Sequence, residues 1–267
     1  MTASTDPIVA RIVRADERRR LRFRAVFAIT WAVVIGAFVL WLLNINRFDP
    51  AFIAEQMPYI LGGAPLTILI SIASISLAVV LAVLGALGRL SRIAPVYALA
   101  SLYVSVVRGT PLILQIIFVF VALPQLVPQA SKVPAIILGV IALGFNYGAY
   151  MTEIFRAGIQ AVPPGQREAA LALGMSDRRV MFRIVLPQAV RIVTPAMGNE
   201  FIAMIKDSAL VYVIGVQELL WRARTVGSAN FRGLEMLLLA AAVYWILTII
   251  LSFFQERLEQ RMARGDR

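Results

Sequence analysis

Long apolar stretches almost free of charge constrain this chain more than any other feature. At 1.5 Å per residue about 18 to 20 apolar residues cross the hydrocarbon of a bilayer, where a backbone must satisfy its own hydrogen bonds. The run AVFAITWAVVIGAFVLWLL, residues 25–43, is the first such stretch. Others follow at about 59–88 (between Glu55 and Arg89), 102–124, 134–155, 192–216 and 236–254. The pattern predicts an all-α integral membrane protein of about six transmembrane helices. Composition agrees, because 60% of the 267 residues are hydrophobic, against about 45–50% in soluble domains. The first run leads into NINRFDP with no small-residue cleavage pattern, so it reads as a retained anchor and not as a signal peptide.

Lys and Arg gather on the cytoplasmic side of membrane proteins. The chain has 24 Arg, two Lys and a net charge of +11. Against an N-in, C-in arrangement, nineteen of these cations fall inside. They are Arg11, Arg14, Arg18, Arg19, Arg20, Arg22 and Arg24 in the N-terminal tail, Arg89 and Arg92 in the next inner loop, and Arg156, Arg167, Arg178, Arg179, Arg183 and Arg191 in the third. Arg257, Arg261, Arg264 and Arg267 complete the set. Arg47, Lys132, Arg222, Arg224 and Arg232 fall outside, while Arg108 and Lys206 lie near or within spans. The loop 217–232 carries three Arg against the rule; it stays outside because moving it would break the parity of the better-marked loops. A basic balance so arranged points to membrane anchoring and not to nucleic acid. The absence of Cys and His excludes disulfides, thiol nucleophiles, imidazole bases and metal sites built on sulfur or nitrogen ligands.

The most polar long segment, GQREAALALGMSDRRVMFRIVLPQA at 165–189, falls on the cytoplasmic side. Prolines are tolerated in a first helical turn, and VPPGQREAALAL continues with good helix formers to Gly174, suited to a left-handed position after a helix. Ser176 or Asp177 can cap a second helix that runs to Leu186, just before Pro187. On a helical wheel Val180, Met181, Ile184 and Val185 share one face, with Arg179 and Arg183 opposite. Two short helices at a glycine elbow suit docking of a partner, and the small Ala169 and Ala170 would let another backbone approach; an amphipathic hairpin resting on the bilayer is the alternative.

Glu168-Ala169-Ala170, three residues, Gly174, nine residues, Ile184, one residue and Leu186-Pro187 resemble the EAA loop of permease subunits of ABC importers, with the spacing intact. RGTPLILQ (108–115), GAYMTEIFRAGI (148–159), PQAVRIVTPAMGNEFI (187–202) and KDSAL (206–210) resemble the polar amino-acid branch of those permeases. KDSAL departs where Thr and Ser are commoner at Ser208 and Ala209. The resemblance spans about Pro58 to Arg264 and implies a five-helix permease core plus one extra N-terminal helix, in the inner membrane of a bacterial cell. It divides the chain into a basic cytoplasmic tail (1–24), an N-terminal transmembrane helix (25–43), an extracytoplasmic loop (44–57), a permease domain (58–255) with a coupling loop at about 158–190, and a cytoplasmic tail (256–267). It implies that Glu168, Ala169, Ala170, Gly174, Ile184, Leu186 and Pro187 dock into a cytoplasmic ATPase. The chain contains no GxxxxGK[ST] phosphate loop, so ATP and Mg would be used by that separate subunit and no cofactor belongs to this chain. Two ATPase subunits, an extracytoplasmic solute-binding protein and a second permease, identical or homologous, are the implied partners, with a polar amino acid as substrate.

Ionisable residues inside a membrane are costly and usually face a bundle interior or a watered path. Asn199, Ala203 and Lys206 follow i, i+4, i+7, and Glu200 and Asp207 follow i, i+7, so a polar stripe runs along one helix. Lys206 and Asp207 are about 100° apart and cannot pair as i, i+4 residues do. A structural lock between helices and a translocation path or gate both remain open for them. Glu153, with Arg156, reads as interfacial anchor or pathway, and Arg108, before Gly109 and Pro111, as a kinked positive-inside anchor or pathway. Gln115 and Asn146 are buried hydrogen-bonding candidates. A proton-coupled transporter using Glu153, Glu200 or Asp207 is the competing reading. A Ser/Lys hydrolase is not, because Lys206 and Ser208 point roughly 160° apart on a helix.

Overall fold

The computed structural model describes residues 7–44 and 48–263. Arg47, Arg264 and Arg267 of the charge balance lie outside the described residues, as do the side chains of Arg11 and Arg14. The described chain is helical and falls into two compact units, Met1–Phe52 and Ile53–Arg267. Among the described residues five helical spans are long and apolar enough to cross a membrane, or six if one sharply bent helix pair counts as a single span.

In the first unit, α1 (Pro7–Leu43) is one continuous helix. The basic tail and the first apolar run are therefore not separated by a break; Ala, Leu, Arg and Glu are all strong helix formers. The next helix, α2 (Pro50–Leu61), starts where the Asp49 carboxylate accepts from the N–H groups of Ala51 and Phe52 at 3.0 and 3.2 Å. An Asp cap before a proline at the first helical position suits a helix start, because proline lacks an N–H that would otherwise go unpaired.

The second unit is built on the contact between α3 (Ala64–Arg89) and α7 (Ala135–Gln160). Thr67, Ser71, Ser74, Ala78, Ala82 and Gly85 form a buried stripe at three- and four-residue intervals on α3. Small residues let two backbones approach where burial of apolar surface gives little drive within lipid. A Cβ on Gly85 would run into Thr152 Oγ1, and one on Gly144 would lie 2.8 Å from Leu77 Cδ2. The helices interlock through absent side chains.

Between them, α4 (Ala94–Arg108) and the short α5 (Leu112–Val121) and α6 (Leu123–Leu126) make the bent pair, turned by 105°. The sequence predicts a loosened helix at Gly109 and Pro111, and the bend is its result. Freed backbone carbonyls at such a break need donors. The Gln115 side-chain amide supplies them, donating to Val107 O at 2.8 Å and Thr110 O at 3.1 Å. Its carbonyl accepts from Asn146 on α7 at 3.0 Å, so the break is pinned to the centre of the bundle.

After a 3₁₀ turn at Pro128–Lys132 and α7, the polar segment that follows forms α8 (Pro164–Ala172) and α9 (Asp177–Val180). A π-helical turn, Met181–Val185, joins α9 to α10 (Leu186–Asp207). The second loop helix thus does not stop before Pro187 as the sequence suggests. Leu186 N–H bonds back five residues to Met181 O, and this wider turn takes up the carbonyl and ring conflict that a proline imposes in regular α-helix. The chain continues through a 3₁₀ segment (Ser208–Ile214), α11 (Leu219–Ala229) and α12 (Gly233–Ala263).

Candidate functional site

The polar segment folds into a knob with its own small core. Val162, Ala170, Val180, Val185 and Ala189 are buried together, with Met175, Met181 and Ile184 packed on them. The apolar face expected from the sequence is therefore the packed face, and Arg178, Arg179 and Arg183 are exposed. Gly174 has φ of +79°, the left-handed conformation that its place after α8 anticipates. Met175 N–H bonds to Ala170 O at 3.1 Å and Gly174 N–H to Leu171 O at 2.9 Å, the pair of bonds that closes a helix around a left-handed glycine. Ala170 and Met175 meet in the core beneath. Across the elbow Arg167 pairs with Asp177 at 2.8 Å, and Gln188 donates to Gln166, tying α8 to the start of α10.

This arrangement sorts the predicted coupling residues into two groups. Ala170, Gly174, Ile184 and Leu186 build the knob, whereas Glu168, Ala169 and Pro187 are exposed. Two further residues escaped the sequence reading: Leu173 is 84% exposed and Phe182 61% exposed. Helical spacing alone could not tell these exposed apolar side chains from core residues.

The membrane stripe on α10 divides between neighbours. Asp207 accepts from the Tyr147 hydroxyl of α7 at 2.8 Å, and Asn199 accepts from Gln255 of α12 at 3.0 Å. Lys206 is exposed and lines a groove with Ala209, Leu237, Ala240, Tyr244 and Thr248. Glu200 and Ala203 are half-buried. Lys206 and Asp207 thus address different surroundings, as their angular offset requires, and Asp207 finds its partner on another helix.

Glu153 and Arg108 lie apart from that cluster. The Glu153 carboxylate holds Arg156 at 2.7 Å and Arg89 of α3 at 3.1 Å, and Arg89 also donates to Ser101 of α4 at 2.6 Å. The carboxylate thus ties α7 to α3, and through Arg89 the link extends to α4. Arg108 is exposed at the α4 break, its guanidinium 5.2 Å from the centre of the Tyr150 ring.

At the opposite end, each of the three arginines that oppose the charge rule engages another group of the protein. Arg222 donates to Tyr59 O at 2.9 Å and Gln217 O at 3.2 Å, Arg224 lies 4.7 Å from the centre of the Tyr212 ring, and Arg232 approaches Glu235 at 3.6 Å. Beside them Glu218, which the sequence offers only as a loop carboxylate, is fully buried. It caps α11 by accepting from Leu220 N–H at 3.0 Å and Trp221 N–H at 2.7 Å. It also accepts from Tyr244 of α12 at 2.5 Å and from Thr67 of α3 at 3.4 Å. Burial pushes its carboxyl above the usual range, against the pull of these donors.

A family model described as "Binding-protein-dependent transport system inner membrane component" matches residues 78–264. The arginine transport system permease protein ArtQ of Bacillus subtilis is 38% identical over 211 residues, covering 79% of this chain and 95% of that one. The glutamine transport system permease protein GlnP of Escherichia coli is 35% identical over 216 residues, covering 81% and 98%. A solved structure described as an amino acid ABC transporter with histidines superposes with a TM-score of 0.75 at 38% identity, covering 80% of this chain and 98% of that chain.

Proposed function

The chain belongs to the family of inner membrane components of binding-protein-dependent transport systems, and on that premise we propose that it forms the membrane path of an ATP-driven importer of polar amino acids. The family makes it a multi-pass permease subunit of an ABC transporter. The amino-acid substrate rests on the relatives named for arginine and glutamine and on the amino acid ABC transporter that shares its fold. In this reading two ATPase subunits bind ATP and Mg, an extracytoplasmic binding protein delivers solute, and a second permease completes the path.

The observation that carries the reading is the continuity between the knob and the membrane polar residues. Glu168, Ala169, Leu173 and Phe182 offer a surface for the ATPase. Its closure pushes on a knob closed around its own core and bonded at Gln166–Gln188. The π turn joins that knob to α10 without a break, and the same helix ends at Lys206 and Asp207. A displacement at the knob therefore reaches Asn199, Glu200, Ala203, Lys206 and Asp207 along one helix. Asp207 supplies a carboxylate suited to the ammonium of an amino acid, while Lys206 faces the groove lined by Tyr244 and Thr248. Glu153 and Arg108 act at the edge of this path, Glu153 by holding α3 and α7 together as α10 moves.

Uptake of radiolabelled amino acids into liposomes holding the permease and its ATPase tests the proposal. Uptake driven by ATP should survive an uncoupler. Uptake that needs a proton gradient while ATP persists would replace it with proton coupling through Glu200 or Asp207.

A further inference from the structure

We propose that the inner end of α1 is a binding collar for anionic phospholipid headgroups. The family model begins at residue 78, so α1 lies outside it and its role does not follow from membership. Between Leu21 and Leu43 its side chains are exposed apart from Gly36 and Leu42. An apolar helix exposed all round is a lipid-facing helix. Phe23 stacks on Phe27 at 6.4 Å between ring centres, Trp31 lies tilted against Phe27 at 5.9 Å, and Phe38 stacks on Trp41 at 5.9 Å near the other end. Aromatic rings at both ends mark the two interfaces of a bilayer.

The helix does not stop at the inner interface. It continues through Arg24, Arg22, Arg20, Arg19 and Arg18, all exposed. Among the described residues Arg20 pairs with Asp16 at 2.9 Å, and no carboxylate partner is found for Arg18, Arg19, Arg22 or Arg24. At 1.5 Å per residue the stretch from Arg18 to Arg24 is about 9 Å long and adjoins the apolar run, which places it in the headgroup layer. At 100° per residue Arg18, Arg22, Arg19, Arg20 and Arg24 fall at about 0°, 40°, 100°, 200° and 240°. They ring the helix.

That distribution decides the partner. A docked protein covers one face of a helix, whereas headgroups surround it, and guanidinium groups pair with phosphate oxygens in bidentate fashion. Clusters of four to eight basic residues just inside a membrane helix attract anionic lipids, each contributing roughly a fewfold preference. The collar therefore gathers phosphatidylglycerol-like lipids around α1 and anchors the chain's inner end in an anionic lipid shell.

The test uses the full-length chain with Trp41, Trp221 and Trp245 replaced by Phe, so that Trp31 is the donor of fluorescence. The chain goes into phosphatidylcholine nanodiscs doped with a small share of pyrene-labelled phosphatidylglycerol or pyrene-labelled phosphatidylcholine. Both faces of a nanodisc are the same lipid, so insertion direction does not enter. Energy transfer from Trp31 should favour the phosphatidylglycerol probe by roughly threefold or more, and the preference should fall at high salt. Joint Arg18→Gln, Arg19→Gln, Arg22→Gln and Arg24→Gln substitution should abolish it, while Lys at the same four positions should keep most of it. Equal transfer to both probes in the parent chain, or a preference that survives the Gln substitutions, overturns the proposal. If the parent chain shows no lipid preference but the Gln chain loses its ATPase on purification, the arginines form a protein docking surface instead.

Discussion

The two ends of the bundle use charge in opposite ways. At the inner end, the arginines of the knob stand in solvent over a core made of alanine, valine and methionine. At the outer end, Arg222, Arg224 and Arg232 are engaged with backbone, ring or carboxylate, and a buried Glu218 joins three helices. The charge rule for membrane orientation counts cations as if they were free. It is opposed at 217–232, where Arg222, Arg224 and Arg232 are each engaged with another group of the fold. An arginine at an unexpected side is therefore evidence about packing before it is evidence about topology.

The largest effect on uptake expected from this contrast lies in the knob, where conformation and not charge matters. Gly174→Val forces a β-branched residue to φ of +79°, while a Cβ there meets nothing within 4 Å, so backbone strain alone carries the effect. Strain of about 1–2 kcal/mol displaces the elbow population roughly tenfold. Uptake should drop about in proportion, with normal permease abundance in the membrane and weakened ATPase co-purification. Asn tolerates the left-handed region, so Gly174→Asn should recover most of the uptake. Normal uptake with Val would detach the elbow from coupling.

The largest effect on stability lies in the outer hub. Glu218→Ala leaves Tyr244, Thr67 and two backbone N–H groups without their acceptor in a buried site, a loss of about 3 kcal/mol, read as a lower unfolding temperature in detergent. The pH dependence has a definite sign. The folded state raises the Glu218 pKa above its unfolded value of about 4.3, so folded protein holds this proton to higher pH. Its stabilising contribution is complete below the unfolded pKa and disappears as pH rises through the folded one. Glu218→Gln should flatten that descent; an unchanged pH profile would assign it to another group.

How much of this was legible in sequence follows the same contrast. The apolar runs marked the long helices, except that the run at 102–124 crosses the break between α4 and α5, and Gly174 announced its left-handed turn, because both depend on residues within a few positions of each other. The bend at Gly109–Pro111 was legible as a weakness, but its 105° angle rests on Gln115 and Asn146, whose pairing belongs to the tertiary fold. Pro187 looked like a stop, and only the π turn before it lets α10 begin there. Glu218 gave no signal, since Thr67 is 151 positions away and the loop context suggested solvent. Leu173 was read as one more helix residue because exposure is not written in spacing.

A third substitution separates engaged from free arginines at the outer end. Arg222→Gln removes two hydrogen bonds and the contact of its guanidinium with the Tyr59 ring at 5.1 Å. The residue is half-buried, so the loss should be about 1 kcal/mol. The loop should nevertheless remain outside, as judged by labelling of a cysteine introduced at Ser228 with an impermeant thiol reagent. Labelling from the cytoplasmic face instead would show that these arginines do set topology.

The smallest effect is expected from the corresponding ion pair of the knob. Arg167 and Asp177 lie 2.8 Å apart across the elbow, but their side chains are 53% and 75% exposed. Water and salt screen such a pair, and exposed pairs contribute about 0.2–1 kcal/mol. Four other features already close the elbow: the left-handed Gly174, the two backbone bonds around it, the Ala170–Met175 contact and the Gln166–Gln188 link. Arg167→Gln should therefore change the unfolding temperature little, and added salt should erase the remaining difference. Uptake should stay near that of the parent chain, unlike the loss expected for Gly174→Val a few residues away. If Arg167→Gln instead lowers uptake while leaving stability intact, the guanidinium contacts the ATPase directly, and the inner end uses charge for docking as well as for facing water.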